Sequence, residues 1–204
     1  MSINAVVFDY GQVITFPQES SALDRLAQLA GSGREEFEEV LWKERPDFDR
    51  GLLNPKEYFR RVLSCLGISK DDDTIDEMIR VDFDSWKKIN PETVTLMEEL
   101  KKEGYILGIL SNMPRDFLVW ARENESVLSI PQVCVFSCEH FLIKPEAAIY
   151  YKLLSLIGVE AEELVFFDDS LKNVNAAKAL GIAAYLWEDP QAARKVLRTL
   201  GARV

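Results

Sequence analysis

The stretch Ile3-Asn4-Ala5-Val6-Val7-Phe8-Asp9-Tyr10-Gly11-Gln12-Val13 decides how this chain folds. Its apolar run is too short for a helix, is rich in β-branched and aromatic side chains, and stops at an Asp and a Gly. A run that is apolar without alternation predicts a strand buried on both faces, which is the condition of a parallel sheet. Ile3–Asp9 is therefore read as the first strand. The same features recur at Tyr105–Ser111, Gln132–Ser137, Leu164–Asp168 and Ala183–Trp187.

Amphipathic helical patterns separate the later strands. Asn90 is placed to cap a helix that begins at Pro91, carries Val94, Met97 and Leu100 on one face and ends at Gly104. Pro145–Leu156 before Gly158 and Lys172–Leu180 before Gly181 repeat the design. Strand and helix in regular alternation predict an α/β fold: an open parallel sheet with helices on both faces. From about Phe16 to Trp86 the rhythm breaks, and helices are predicted over Ser20–Ala30, Arg34–Lys43, Pro55–Leu66 and Asp73–Lys87. Asn54-Pro55-Lys56-Glu57 has the pattern of a capping box. This divides the chain into a core of residues 1–15 and 90–204 and an inserted helical cap of residues 16–89, with hinges at Thr15–Gln18 and Asp84–Asn90.

In an open parallel sheet the carboxyl ends of the strands share one edge, so polar residues placed there converge on one crevice. The ends here are Phe8-Asp9-Tyr10-Gly11-Gln12-Val13, Leu110-Ser111-Asn112 and Phe166-Phe167-Asp168-Asp169-Ser170, with Lys144-Pro145 following the third strand. In this order they resemble the four motifs of the haloacid-dehalogenase-like superfamily, over about Ile3 to Gly181. The resemblance implies a Rossmann-like core with a helical cap and a magnesium-dependent phosphatase acting on a small phosphorylated metabolite. It makes Asp9 the nucleophile, with Lys144 balancing the charge of nucleophile and phosphate. It assigns Ser111 and Asn112 to the phosphoryl oxygens, and Asp9, the Gly11 carbonyl, Asp168 and Asp169 to Mg2+.

The chemistry explains why such residues belong together. A phosphate dianion repels a carboxylate nucleophile, so charge must be neutralised before attack. A hard cation takes several oxygen ligands, and a lysine ammonium supplies the rest. The sequence departs from the family pattern at Gly11, where most phosphatases of the superfamily carry a second aspartate that serves as general acid and base. The Asp-x-Gly-x-Val form resembles a subgroup that includes alpha-D-glucose-1-phosphate phosphatases. A sugar 1-phosphate suits a site without that acid, because its anomeric leaving group is less basic than an ordinary alkoxide.

Composition narrows the alternatives. Lys and Arg number 24 against 34 Asp and Glu, a formal charge of −10, which argues against nucleic acid or an anionic membrane as partner. The N-terminus has no basic segment before its apolar run and no apolar stretch is long enough to span a bilayer. Cys65, Cys134 and Cys138 are an odd number with no Cys-x-x-Cys pair, which favours a reducing, cytoplasmic setting. Monomer and homodimer both stay open. Trp42, Arg45, Asp49, Arg50 and Tyr58 are side chains able to meet a substrate from the cap, although packing is the commoner role for such residues; His140, the single histidine, excludes a histidine-rich metal site. Two rival readings stand beside the phosphatase: a regulatory phosphate- or metal-binding protein that has lost turnover, for which Gly11 is the best argument, and a haloacid dehalogenase, against which the pair Asp168-Asp169 speaks.

Overall fold

The computed structural model describes residues 3–204. Its strands are β1 (Ala5–Phe8), β2 (Ile106–Ser111), β3 (Val133–Phe136), β4 (Leu164–Asp168) and β5 (Ala183–Leu186). They form one sheet in the order β3-β2-β1-β4-β5. Each neighbouring pair is parallel, and β1 runs in register with β2 (Phe8 beside Ile109) and β4 (Phe8 beside Phe167). The order reverses beside β1, so the loops after β1, β2 and β4 open onto the crevice where ligands of such sheets bind.

The helices are α1 (Ser20–Ala30), α2 (Arg34–Asp49), α3 (Pro55–Cys65), α4 (Asp72–Asp84), α5 (Pro91–Lys102), α6 (Arg115–Asn124), α7 (Ser137–His140), α8 (Ala147–Ile157), α9 (Leu171–Lys178) and α10 (Pro190–Thr199). Alternate residues of the strands face opposite layers, as the pleat requires. Val6, Phe8, Ile109 and Phe167 pack with α5, α6 and α10 through Met97, Phe117 and Leu197. Val7, Leu110, Val135 and Phe166 pack with α8 and α9 through Ile149, Leu153 and Val174. Burying each such side chain contributes about 1.5–3 kcal/mol.

Helices α1–α4 bury a separate cluster that includes Leu26, Phe37, Leu41, Phe59, Val62 and Met78. Two antiparallel passages tie these helices to the sheet. Phe16 N–H donates to the Lys88 carbonyl at 2.8 Å, Asn90 N–H donates to the Ile14 carbonyl at 2.9 Å, and Thr15 bridges Ile89. The predicted capping box is formed: Asn54 Oδ1 accepts from Glu57 N–H, and Glu57 Oε2 accepts from Asn54 N–H. Asn90 likewise caps α5, accepting from Glu92 N–H at 3.0 Å.

Two expectations need correction. The helix expected to start at Pro145 starts at Ala147, because the backbone at Glu146 is still extended. Helix α2 does not stop at Lys43 but continues through Pro46 to Asp49. A proline there removes an intrahelical hydrogen bond; Arg45, which ties the last turn to Asp49 (Nε to Oδ1, 2.8 Å) and to Asp82 of α4 (3.2 Å), offsets it. Helices α6 and α10 have no counterpart in the sequence reading. No helix is long and apolar enough to cross a membrane among the described residues.

Candidate active site

Asp9 is the first residue beyond β1, and its backbone continues the ladder, donating to the Phe167 carbonyl at 2.9 Å. Its Oδ1 accepts from the Tyr10 N–H at 2.7 Å and from Lys144 Nζ at 2.8 Å. Neither contact uses Oδ2. Lys144, with 1% of its side chain exposed, also reaches Asp168 Oδ2 at 2.6 Å. Asp168 is fully buried; its Oδ1 accepts from Ser170 N–H and Asn173 Nδ2, each at 2.9 Å. Asp169 is partly exposed, and its Oδ2 accepts from Gln12 Nε2 at 2.8 Å. Gln12 takes a positive φ of 60°, uncommon for a residue with a side chain, which turns its amide toward Asp169.

Carboxylate oxygens of Asp9, Asp168 and Asp169 lie within 4.8 Å of one another. Three carboxylates face one ammonium, so two negative charges stay unbalanced. The consequence is visible in Asp9: burial, with Asp168 and Asp169 beside it, pushes its carboxyl up to about 7 despite the opposing pull of Lys144. Burial and Asp168 push Asp169 upward as well, against Lys144. Burial by itself lowers the Lys144 ammonium, but Asp168 and Asp9 outweigh it and hold the side chain charged. This donor set fits a divalent cation: hard oxygen ligands, close together, carrying a charge deficit that such an ion cancels.

The remaining predicted residues gather here too. Ser111 closes β2 and is 2% exposed. Asn112 holds the lysine loop: its Nδ2 donates to the Lys144 carbonyl at 3.0 Å and its Oδ1 accepts from Lys144 N–H at 2.8 Å. Its side-chain amide is thereby engaged in positioning Lys144. Above Asp9 opens a cavity of about 140 Å3, floored by Asp9, Gly11, Ser111, Asn112 and Asp169. Its opposite wall comes from the inserted helices and includes Trp42, Arg45, Asp49, Phe83 and Trp86. Arg45 is buried beneath Trp42, Phe48, Tyr58 and Trp86, each ring centroid 5.3–5.9 Å away. Tyr58 is core, its hydroxyl donating to the Leu41 carbonyl at 2.8 Å. Arg50 binds the core through Glu146, at 2.9 and 2.7 Å. His140 ends α7 and does not line the cavity. Trp86 and Phe83 are not singled out by the sequence, which places both within the helix predicted over Asp73–Lys87; nothing local distinguishes them.

Among curated proteins, Phosphatase MT3486 of Mycobacterium tuberculosis is 27% identical over 193 residues, which is 91% of this chain and 88% of that protein. Sesquiterpene phosphatase astK of Aspergillus oryzae is 26% identical over 155 residues, covering 75% of this chain and 76% of that one. Among solved structures, a HAD family enzyme of Bacteroides thetaiotaomicron, crystallised with magnesium and inorganic phosphate, superposes with a TM-score of 0.72 at 22% identity, covering 92% of this chain and 95% of that one. The family described as haloacid dehalogenase-like hydrolase matches residues 3–181, which takes in the whole acidic cluster and its lysine. With the motifs in order, the strand order reversing at β1 and that match over most of its length, the chain belongs to the haloacid dehalogenase-like hydrolases.

Proposed function

We propose that the protein is a magnesium-dependent phosphatase that transfers the phosphoryl group of a small phosphorylated metabolite to Asp9 and then to water. The observation that carries this reading is the cluster itself, three carboxylates within 4.8 Å with Lys144 joining two of them. Asp9, Asp168, Asp169 and the Gly11 carbonyl would hold Mg2+, which supplies neutralising charge and oxygen-coordinating positions for a phosphate. A dehalogenase has no use for the two added carboxylates, whereas a phosphate dianion needs what they recruit.

The protein's own groups divide the remaining work. Lys144 and the Tyr10 N–H hold Asp9 Oδ1, which leaves the second oxygen to attack phosphorus. Ser111 and the backbone N–H groups after β2 receive the phosphoryl oxygens. Attack forms an acyl phosphate on Asp9 and breaks the bond to the leaving oxygen; water then displaces Asp9. Residues 16–89 act as a cap hinged at the paired passages through Phe16 and Asn90, and closure excludes bulk water and shapes substrate choice.

For the substrate we favour a phosphorylated sugar, a hexose 1-phosphate in particular. The wall of Trp42 and Trp86, with ring centroids 6.3 Å apart, offers aromatic faces to the C–H side of a pyranose. Unpaired Cys65, Cys134 and Cys138 are in keeping with a cytoplasmic setting. The test is Mg2+-dependent hydrolysis of 4-nitrophenyl phosphate, whose leaving group needs no acid, followed by a panel of phosphorylated metabolites. Activity should be lost in Asp9→Asn. Binding of phosphate or beryllofluoride without hydrolysis of any panel member would sink this reading and leave the regulatory one.

A further inference from the structure

The resemblance leaves one catalytic task unassigned, because the position that carries the proton donor in related phosphatases is Gly11. The space above that glycine is filled. A Cβ built on Gly11 would lie 3.3 Å from Trp86 Cζ3 and 3.5 Å from Cε3. The indole is held in place, its Nε1 donating to Asp82 Oδ1 at 3.4 Å and its ring meeting Trp42 edge-on. A donor must therefore enter the cavity from elsewhere. The carboxylates lining it, among the described residues, are Asp9, Asp169 and Asp49. Asp9 and Asp169 belong to the charged floor, which leaves Asp49.

Asp49 ends α2 in the wall facing Asp9, and is 8% exposed. The core fixes its position. The Ser137 hydroxyl donates to the Asp49 carbonyl and accepts from the Met113 N–H at 2.8 Å, so one hydroxyl ties Asp49 to the loop that follows Ser111-Asn112. Next in sequence, Arg50 is bound twice by Glu146. The carboxylate Oδ1 accepts from Arg45 Nε at 2.8 Å, and Arg45 Nη1 also contacts both Asp82 oxygens at 3.2 Å. Two carboxylates thus share one guanidinium, and a proton on one of them restores neutrality. The charged groups facing Asp49 are Arg45 of its own helix, Asp82 of α4 and Lys144 of the core. Burial and Asp82 push its carboxyl up, and prevail over Arg45 and Lys144.

We propose that Asp49, reaching in from the inserted helices, is the general acid and base of this site. The proposal rests on the phosphatase reading. As Asp9 Oδ2 bonds to phosphorus and the bond from phosphorus to the leaving oxygen breaks, the Asp49 proton moves to that oxygen and the alcohol departs. In the second half a water oxygen bonds to phosphorus, its proton passes to the Asp49 carboxylate, and the Asp9–phosphorus bond breaks. Inorganic phosphate leaves, with Asp9 ionised and Asp49 protonated as at the start.

The experiment measures kcat/KM with Mg2+ over aryl phosphates graded by the pKa of the leaving phenol, ending in a simple alkyl phosphate. Wild type should depend weakly on leaving-group pKa. Asp49→Asn should lose about 10²–10⁴-fold on the alkyl phosphate, less than about tenfold on 4-nitrophenyl phosphate, and with them the fall of kcat/KM at rising pH. Asp49→Glu should keep that fall. Asp82→Asn leaves the guanidinium of Arg45 to Asp49 alone, so in that variant the fall of kcat/KM should begin at lower pH than in wild type. An equal loss on every substrate in Asp49→Asn, or a fall of kcat/KM at rising pH that Asp49→Asn keeps, would overturn the proposal. Should Asp49→Asn fail to fold, wild type decides: a steep dependence on leaving-group pKa means that no acid acts. Absence of Asp9-dependent hydrolysis of 4-nitrophenyl phosphate marks failure of the phosphatase reading instead.

Discussion

Replacing Lys144 by methionine removes the ammonium that joins Asp9 and Asp168, at 2.8 and 2.6 Å. The side chains involved are 1% exposed for the lysine, 11% for Asp9 and 0% for Asp168, so water cannot take over the lost contacts. Removing one partner of a buried ion pair costs about 3–5 kcal/mol, because the other charge stays buried without compensation. That is a large part of the roughly 5–15 kcal/mol by which a domain is stable. A divalent ion should recover some of it. Ligand binding stabilises by RT ln(1 + [L]/Kd), about 2.7 kcal/mol at a hundredfold excess over Kd, and the ion meets more uncompensated charge in the variant than in wild type. Urea unfolding in EDTA and again in Mg2+ measures both quantities. The expected result is a stability gap of about 3–5 kcal/mol in EDTA that narrows in Mg2+, together with loss of phosphatase activity. A gap below about 1 kcal/mol in EDTA, or one that widens in Mg2+, would refute the charge balance on which the site is built.

Gly51→Ala should destabilise by about 1–3 kcal/mol in urea unfolding, since the residue holds φ 79° and an added Cβ would lie 3.0 Å from Cys138 Cβ and 3.1 Å from its carbonyl oxygen. The same change should lower kcat/KM more for poor leaving groups than for good ones, by shifting the corner that carries Asp49. Tyr10→Phe should be neutral or gain about 1 kcal/mol in the same assay, because the Tyr10 hydroxyl is buried with no hydrogen-bond partner. Its activity should be kept, as the contact made to Asp9 is the backbone N–H; a large loss of stability would mean that the hydroxyl has a partner.

Each strand was legible because a sheet buried on both faces admits no polar alternation, so β-branched runs such as Ala5–Phe8 have one reading. Their ends are less so: the apolar pattern runs over Ile3–Asp9 where only Ala5–Phe8 forms the strand, since the pattern marks apolar content and hydrogen bonding decides the limits. The floor of the site was legible for a related reason. Parallel topology brings strand ends together whatever lies between them, so Asp9, Ser111 and Asp168 could be grouped from their places in the chain alone. Asn112 stands in the same group, but its side-chain bond to Lys144 depends on a loop whose path no local pattern fixes.

The wall over the site escaped because its residues get their meaning across long separations. Arg45-Pro46 reads locally as a helix end; only Asp82, 37 residues away, supplies the contact that helps carry α2 on to Asp49. Gly11 shows the same limit most sharply. In the sequence it registers as a missing carboxylate, and a missing carboxylate implies weakened catalysis. In the fold the vacant position belongs to Trp86, whose ring stands against Gly11 while Asp49 faces the cavity from the other wall. A glycine at that position admits the indole, the indole gives the cavity an aromatic side, and the proton work can pass to a carboxylate held by Arg45. The departure from the family pattern is then an exchange of where the acid comes from. Since that acid is carried by the inserted helices, proton transfer would be complete only when they close over the floor, coupling catalysis to the exclusion of bulk water.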